Sequence, residues 1–517
     1  MKKAVWALAV LFVAAWGAAA SSAYAEEPEG LYRLVNAGRY DQFTNYVDGY
    51  TMQVDKGMSV DMSYSSVCTV LENEEKRIEI YKQNVSSVGM SAYVSYSNRF
   101  LGNWMDHYLD FDGQQTIGSH NVHVTSWSRG KLSGIKNDKN YYVCLEIGSG
   151  SYVYTIFLKT NAPSYDIGGY SYLAENFWTM PLAMPAYTRR SNPVNVPGRR
   201  WNDETRAFYG EHFGNDVDLT WGIFEPGTAL FEYNKLKEYE EQFDYEFPII
   251  LNYSEFQNTY KHPNLMQRLQ TAYSNGKALE LTLQTVDSGY GNQVYRILNG
   301  YYDEFLQDYA KVIADFGHPV LFRLCNEMNG DWCPYSAFNT SKDTVVFTEF
   351  YKYVYGFFEK AGANKNTIWV WNPNSVSYPN FKWNNELMYY PGDEYVDVVG
   401  MTAYNTGTYY SSVGERWKEF YELYNDMYYR YCADFGQPLM ITEFSCASMG
   451  GNKEQWVINM FDDIDMYDRI KVAIWWDGCD WDEEGNIARS YFIDETPLLM
   501  DIFKRNLKGD WTRGVFG

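Results

Sequence analysis

Residues 320–332 read VLFRLCNEMNGDW, a short apolar run that turns polar at its end. This pattern is typical of a buried parallel strand followed directly by a loop. Seven more apolar runs of similar length occur in the chain, and helical patterns separate several of them. The eight runs begin at Leu219, Pro248, Ala278, Val320, Thr367, Val396, Pro438 and Val472. Eight strands that alternate with helices over ~300 residues predict a (β/α)8 TIM barrel.

The first third of the chain has a different pattern. Residues 26–160 contain short runs of alternating or β-branched residues separated by Gly, Asn, Asp and Ser, which predicts a β-sandwich-like domain. It is expected either to bind carbohydrate, with Trp104 and Trp127 as contacts, or to act as a structural spacer. Residues 161–200 predict a linker or an extended wrap, and residues 201–517 the barrel domain.

The cysteines leave two alternatives open. The sequence has seven of them and no C-x-x-C pair, which argues against a structural zinc site. Cys68 and Cys144 both lie in strand-like runs of the first domain. They are expected either to form a disulfide between the two sheets or to stay as unpaired core thiols.

Composition limits the partners. The 517 residues carry a formal net charge of −23, which argues against nucleic acid and anionic membranes as partners. Aromatic residues make up 18% of the chain, and such side chains are suited to stacking on sugar rings.

Lys2 and Lys3 precede an apolar run that ends in Ala23-Tyr-Ala25, so residues 1–25 predict a secretory signal peptide, with a single membrane anchor as the alternative. The mature protein is expected to be secreted, free of the membrane and monomeric.

Glutamates follow two of the predicted strands. Glu327 comes just after strand four and Glu443 ends strand seven. These strands lie on opposite sides of a barrel, and active sites of such barrels lie at the carboxyl ends of their strands. Two carboxylates that face each other across a cleft are what glycosidic bond cleavage needs, and that chemistry needs no metal or cofactor. The alternative for each glutamate is an ion pair or a helix cap.

The strand-four motif resembles that of glycoside hydrolase family 26, which contains secreted β-mannanases and some β-glucanases. WVWNPN at residues 369–374, YPGDEYVDVVGMTAYN at 390–405 and PLMITEF at 438–444 are similar to the family's next three strand segments. The resemblance covers about residues 215–505. It implies a retaining mechanism with Glu327 as general acid/base and Glu443 as nucleophile, their carboxyl groups ~5–5.5 Å apart.

The resemblance also implies roles for neighbours of the pair. Tyr404 matches a tyrosine that hydrogen-bonds the nucleophile, and Arg323 shares the strand face of Glu327 and is expected to hold a carboxylate ionised. Asn326 stands where the family's mannanases usually have a histidine. An asparagine there is common elsewhere in the clan and binds the sugar 2-hydroxyl, so this difference weakens mannan as the substrate.

Aromatic and amide side chains at other strand ends are candidate substrate contacts, because aromatic rings stack on the C–H face of a pyranose. These candidates are Trp332, Trp371, Asn372, Trp475 and Trp476. Neighbouring side chains of a strand point in opposite directions, so only one of Trp475 and Trp476 is expected to face the pocket. We favour Trp475.

The sequence thus predicts a secreted retaining endo-β-glycanase that acts on plant cell-wall polysaccharide. β-1,4-Mannan is the first expectation for the substrate. β-1,3-1,4-Glucan and xylan are the alternatives with the same mechanism. A non-catalytic glycan-binding protein and a transglycosylase are the alternatives of other kinds.

Overall fold

The computed structural model of the protein describes residues 30–163, 169–193, 198–287 and 289–507. The predicted signal peptide lies outside the described residues. The strands of the first third are β1 Tyr32–Ala37, β2 Tyr40–Asn45, β3 Tyr50–Val54, β4 Ser59–Asp61, β5 Thr69–Glu72, β6 Lys76–Asn84, β7 His107–Ile117, β8 His120–Arg129, β9 Tyr141–Ser149, β10 Tyr152–Thr160 and β11 Trp178–Thr179.

The strands of the remaining chain are β12 Thr220–Phe224, β13 Ile249–Glu255, β14 Ala278–Gln284, β15 Val320–Leu324, β16 Thr367–Trp371, β17 Val398–Thr402, β18 Leu439–Phe444, β19 Ile470–Trp476, β20 Cys479–Trp481 and β21 Ile487–Ser490. The helices are α1 Met90–Ser97, α2 Tyr172–Glu175, α3 Asp203–Phe213, α4 Asn234–Phe243, α5 Leu265–Ser274, α6 Gln293–Leu298, α7 Asp303–Phe316, α8 Thr344–Ala361, α9 Phe420–Asp434, α10 Lys453–Ile464 and α11 Pro497–Leu507. No helix among the described residues is long and apolar enough to cross a membrane.

Strands β12 to β19 form a closed parallel barrel, which confirms the predicted (β/α)8 fold. Each of the eight predicted runs overlaps one barrel strand. The helices between them end where the sequence allows the chain to turn: α7 and α8 are followed by Gly317 and Gly362, both in the left-handed conformation that glycine adopts without strain. The Gly317 N–H donates to the carbonyl of Ile313 at 3.2 Å and so closes the last turn of α7.

Helix α3 and Trp201, which lies just before the N-cap Asn202 of this helix, close the amino end of the barrel. Trp201, Tyr209 and Phe213 are buried against inward-facing aliphatic residues of the barrel strands, such as Ile249 and Leu321. The Trp201 indole N–H also donates to the carbonyl of Thr367 at 2.9 Å. Water is therefore excluded from this end, and the opposite end remains for a site.

The first third of the chain forms two antiparallel sheets. One has the strand order β1-β2-β3-β11 and the other β4-β5-β6-β10-β9-β8-β7. Side chains of both, including Tyr50, Met52, Ile80 and Ile156, share one buried core, as expected for a β-sandwich-like domain. The structure thus confirms an additional β-rich region before the barrel.

The segment predicted as a linker packs against both parts of the molecule in its described residues. Within residues 161–200, β11 pairs with β3, and α2 buries Tyr172 and Leu173. The Ser191 N–H donates to the carbonyl of Asp434 in the barrel at 2.8 Å. The exact domain boundaries stay a prediction.

The second face of the seven-stranded sheet packs on the barrel through the loop before α8. The Lys342 ammonium lies 3.4 Å from a carboxylate oxygen of Glu146 on β9. Next to it, Asp343 accepts hydrogen bonds from Lys159 at 2.6 Å and from Tyr142 at 3.0 Å. All of these charged groups are buried. The barrel and the β-rich region therefore share an ion-pair network away from water.

Of the two alternatives for Cys68 and Cys144, the disulfide is wrong, because both residues are free buried thiols. Cys68 directly precedes β5 and Cys144 lies on β9, and both strands belong to the same sheet with β6 and β10 between them. Neighbouring strands are ~4.8 Å apart, so the two cysteines are separated by far more than the ~7 Å that a disulfide can span between Cα atoms.

Candidate active site

The two glutamates singled out by the sequence lie at the carboxyl end of the barrel. Glu443 is the fifth residue of β18, and Glu327 lies three residues beyond the end of β15. The two groups are close enough to interact, because the negative charge of Glu443 is, after burial, the second cause of the raised pKa of Glu327. The barrel thus brings together two carboxylates that are 116 residues apart in the sequence.

Glu443 is nearly buried and accepts hydrogen bonds from side chains on two other strands and a neighbouring loop. The Tyr253 hydroxyl on β13 donates to its Oε2, and the Arg323 guanidinium on β15 lies 3.1 Å from the same oxygen. The Asn326 amide donates to Oε1 at 3.2 Å. Three donors, one of them a cation, thus fix the orientation of this carboxylate.

Arg323 is fully buried inside the barrel and holds its position through further contacts. It donates to the Thr282 hydroxyl at 2.8 Å and to the Asn372 amide oxygen at 2.9 Å. A second carboxylate, that of Glu280, lies 3.1 Å from its Nε. Burial raises the pKa of Glu280 to about 8. The guanidinium therefore bridges two buried carboxyl groups.

Glu327 lies in a different environment. Removal from water, followed by the charge of Glu443, raises its pKa to about 8, although Arg323 and a hydrogen bond from Trp332 act in the opposite direction. Its backbone has a φ of 55°, which is strained for a residue with a side chain. The backbone N–H of Glu327 donates to the Asn372 carbonyl at 2.7 Å, which fixes this conformation.

Asn326 is buried between the two glutamates and is itself held in place. Its side-chain oxygen accepts from the Gln284 amide at 2.5 Å, and its backbone carbonyl accepts from the Tyr335 hydroxyl at 2.5 Å. Because the oxygen is occupied by a donor, the amide nitrogen is directed at Glu443.

The structure corrects the preference for Trp475 over Trp476. Trp475 is only 1% exposed and packs outside the barrel against Phe444 and Phe503, so its side chain cannot reach the pocket. Trp476 is half-buried and stacks on Phe224, with ring centroids 5.1 Å apart. Side chains alternate along β19, and the inward set is the one that contains Trp476.

Trp371 and Asn372 also differ from their predicted role as substrate contacts. The Trp371 ring is fully buried against Tyr390 and Phe435, on the helix side of β16. Asn372 is fully buried and donates to the Thr402 hydroxyl at 3.0 Å besides accepting from Arg323. It supports the arginine and does not contact solvent.

Trp332 and Tyr404 lie where the sequence places them. Trp332 is 51% exposed beside Glu327 and contacts Tyr378. Tyr404 is half-buried next to Trp476, and burial, followed by the charge of Glu443, raises the pKa of its hydroxyl. The hydroxyl that donates to Glu443 is nevertheless that of Tyr253, and not that of Tyr404 as the resemblance implied.

Tyr253, Phe224 and Gln284 are not among the residues that the sequence predicts for the site. The apolar runs that predict β13 and β14 end at Leu251 and Leu283, where polar residues follow. Tyr253 and Gln284 therefore lie beyond the predicted strands, although the observed strands include them. The signal that identifies Tyr253 is its spacing: it is two residues after the inward-facing Leu251. The described residues contain no group of His, Cys, Asp and Glu that could hold a metal ion.

The sequence is similar to those of known proteins. The model of the family described as "Glycosyl hydrolase family 26" matches residues 254–443, a range that includes both glutamates. "Endoglucanase H" of Acetivibrio thermocellus is 30% identical over 213 residues, which is 39% of this chain and 22% of that protein. "Mannan endo-1,4-beta-mannosidase" of Bacillus subtilis is 33% identical over 97 residues, 18% of this chain and 25% of that protein.

The chain therefore spans about a quarter of the length of these relatives. Among solved structures, the catalytic domain of a Bacillus sp. JAMB-750 endo-β-1,4-mannanase matches with a TM-score of 0.45 and 16% identity, over 62% of this chain and 93% of that chain. The family model and the sequence relatives agree with the strand-end motifs, and residues 254–443 of the chain are similar to glycosyl hydrolase family 26.

Proposed function

We propose that this protein is a retaining endo-β-glycanase in which Glu443 is the nucleophile and Glu327 the general acid/base. The observation that carries the proposal is the contrast between the two carboxyl groups. Glu443 accepts hydrogen bonds from the Tyr253 hydroxyl and the Arg323 guanidinium, while the pKa of Glu327 is raised to about 8, so that Glu327 keeps its proton at neutral pH. A retaining mechanism needs one group of each kind.

In the first step, the Glu443 carboxylate attacks the anomeric carbon while Glu327 gives its proton to the leaving glycosidic oxygen. The bond to the leaving sugar breaks, and an ester forms between the sugar and Glu443. Arg323, Tyr253 and Asn326 position the attacking carboxylate, since each of them contacts it.

In the second step, the charge on Glu443 is gone because its oxygen is bonded to sugar. That charge is one cause of the raised pKa of Glu327, so the pKa falls and Glu327 can act as a base. It takes a proton from water, the water oxygen attacks the anomeric carbon, and Glu443 leaves as a carboxylate.

We propose β-1,4-mannan as the substrate, which is the substrate in the printed name of the Bacillus subtilis relative. β-1,3-1,4-Glucan is the second candidate, because two observations favour a glucose-based chain. Asn326 stands where mannanases of the family usually have a histidine, and the relative that matches over 213 residues is named an endoglucanase.

We also propose that the protein is exported by its first 25 residues and acts as a monomer outside the cell. The pattern of two lysines, an apolar run and Ala23-Tyr-Ala25 supports export. The checks are the mass of the protein recovered from culture medium, which should begin near Glu26, and its size in solution. Full-length protein retained in the membrane would contradict the proposal.

The test of the proposed activity is a reducing-sugar assay of the purified protein on mannan, galactomannan, glucomannan, mixed-linkage glucan and xylan. Glu443→Ala and Glu327→Ala should each lose most turnover of the preferred glycan. Glu225→Gln is the matched control. Glu225 also lies at the end of a barrel strand, but its carboxylate caps its own turn by accepting from the Gly227 N–H at 3.1 Å.

The stereochemistry of the azide products distinguishes the general acid/base from the nucleophile. With azide and an activated aryl glycoside, Glu327→Ala should give the β-azide, because azide attacks the glycosyl-enzyme from the side that water uses. Glu443→Ala should give the α-azide by direct displacement. Parental turnover in either variant would refute the assignment, and binding without turnover in the parent protein would favour the glycan-binding alternative.

A further inference from the structure

A cavity of about 430 Å³ lies beside Trp332, between the barrel and the β-rich region. Its barrel side is formed by the loops after β14 and β15, and its other side by the segment that follows α1. Phe100, Asn103 and Met105 line it from that segment. A volume in this range is typical of small-ligand sites. The cavity adjoins the proposed active site, because Trp332 contacts both the cavity and Glu327.

The two walls are held together by specific contacts. The Asp106 carboxylate accepts from the Asn103 amide at 2.6 Å and from the backbone N–H of Asn292 in the barrel at 2.7 Å. A Cβ atom at Gly291 would lie 2.6 Å from Asp106 Oδ1, so the close approach of the walls requires glycine there. The Tyr96 hydroxyl on α1 donates to Asp331 at 2.5 Å. The cavity is therefore a built feature of the folded chain.

The lining has the chemistry of a neutral sugar site. Trp332 and Met105 supply apolar surface that is about half exposed, and Asp287 and Asp331 supply carboxylates that can accept from hydroxyl groups. The carboxylates and the net charge of −23 disfavour an anionic ligand.

We propose that this cavity is a distal glycan-binding subsite, in which residues 99–106 of the β-rich region bind sugar units of the same chain that reaches Glu327 and Glu443. The inference rests on the proposed glycanase function. It assigns the β-rich region a direct part in substrate binding, which would make the active-site cleft incomplete without it. The occupant is a run of neutral β-linked sugars, because Trp332 both lines the cavity and contacts Glu327.

The test uses Met105→Arg in the full-length protein. Met105 is 47% exposed, and an arginine there would occupy the cavity and pair with the carboxylates of its opposite wall. Met466→Arg is the matched control. Met466 is 58% exposed and lies just before β19, at the other end of the barrel. Met105→Ala is the milder second variant, and thermal unfolding checks that each variant is folded.

The readout is the ratio of kcat/KM on a hexasaccharide to that on an aryl disaccharide, for manno- and gluco-oligosaccharides. In Met105→Arg the ratio should fall about five- to twentyfold, and in Met105→Ala about two- to fivefold, because only the long substrate reaches the cavity. The control should keep the parental ratio. A parental ratio in both Met105 variants, or equal losses on both substrates, would overturn the proposal.

Calorimetric titration with the hexasaccharide is the second readout and does not depend on turnover. Met105→Arg should weaken binding by a similar factor. If the parent protein hydrolyses no glycan but binds the hexasaccharide through Met105, the proposed activity fails and the subsite stands. If the parent hydrolyses glycan and Met105→Arg binds the hexasaccharide as tightly as the parent, the subsite fails and the activity stands.

Discussion

The Glu443 carboxylate owes its environment to residues from separate elements. Tyr253 comes from β13, Arg323 from β15 and Asn326 from the loop after β15, and none of them is adjacent to Glu443 in the sequence. The donors are held by further contacts. Arg323, for example, also donates to the Thr282 hydroxyl. A carboxylate that is already oriented needs little reorganisation when it attacks.

Tyr253→Phe should lower kcat and leave KM nearly unchanged, because it removes one donor to the nucleophile and leaves the pocket shape intact. A hydrogen bond to a charged group is worth ~1.5–3 kcal/mol, which corresponds to about 10- to 150-fold in rate. The measurement is steady-state kinetics on the preferred glycan. Tyr309→Phe is the control, since its buried hydroxyl contacts Ser254 on the helix side of the barrel. Parental kcat in Tyr253→Phe would contradict this role.

The pKa of Glu327, at about 8, predicts the alkaline limb of the pH profile. A general acid must be protonated, so kcat/KM should fall as the pH rises through about 8. With an activated aryl glycoside, whose leaving group needs no proton, Glu327→Ala should lack this limb. A limb near pH 8 that persists in the variant would assign it to another group, and Glu280, whose pKa is also about 8, is the first to examine.

At the scale of the element, β19 illustrates what could be predicted from the sequence and what could not. The apolar run predicts the strand and places two tryptophans at its end. It does not predict which tryptophan faces the inside of the barrel and which faces the helices. Strands of a parallel barrel are apolar on both faces, so Ala473 and Ile474 carry little information about which side faces inward. The structure has Ile474 and Trp476 inside and Trp475 outside.

Trp475→Ala and Trp476→Ala should therefore affect different quantities. Trp475→Ala leaves a cavity among Phe444, Trp456 and Phe503 and should lower the free energy of unfolding by ~3–5 kcal/mol. Trp476→Ala should weaken substrate binding and leave stability less changed. Chemical denaturation and steady-state kinetics of both variants separate these effects, and the opposite pattern would contradict the assigned faces.

The end of β13 shows a second limit of the same kind. The apolar run stops at Leu251, whereas strand pairing with β14 continues to Glu255. The pairing is made by backbone groups, which the side-chain pattern does not report. Tyr253, the donor to Glu443, lies in that extension. The two glutamates were predictable because each lies near the carboxyl end of an apolar run in a recognisable alternation of strands and helices.

At the scale of the whole molecule, the β-rich region and the barrel share buried surface and buried charge. The loop that carries Lys342 and Asp343 belongs to the barrel, and its partners Glu146 and Lys159 belong to the seven-stranded sheet. Lys342 has a φ of 58°, a conformation that the sequence pattern does not reveal. The separate regions were predictable from composition, but their docking depends on such local backbone geometry.

Asp343→Ala should lower the free energy of unfolding by about 3 kcal/mol, because it removes one carboxylate from the buried ammonium of Lys159. Both regions should still unfold in one thermal transition, since they share this network. Asp315→Ala is the control: its ion pair with Lys311 on α7 is exposed and is worth ~1 kcal/mol or less. Two separate transitions, or equal losses in both variants, would contradict the shared network.

The central claim, that Glu443 attacks the sugar, is tested most directly by trapping the glycosyl-enzyme. A 2-deoxy-2-fluoro glycoside with an activated leaving group slows the second step, so that the ester accumulates. Tryptic cleavage after Arg430 and Lys453 releases residues 431–453, which contain Glu443 as their only glutamate. Mass spectrometry should show one fluorosugar on this peptide, attached at Glu443. A label on Glu327 or Asp434, or no label after full inactivation, would contradict the account.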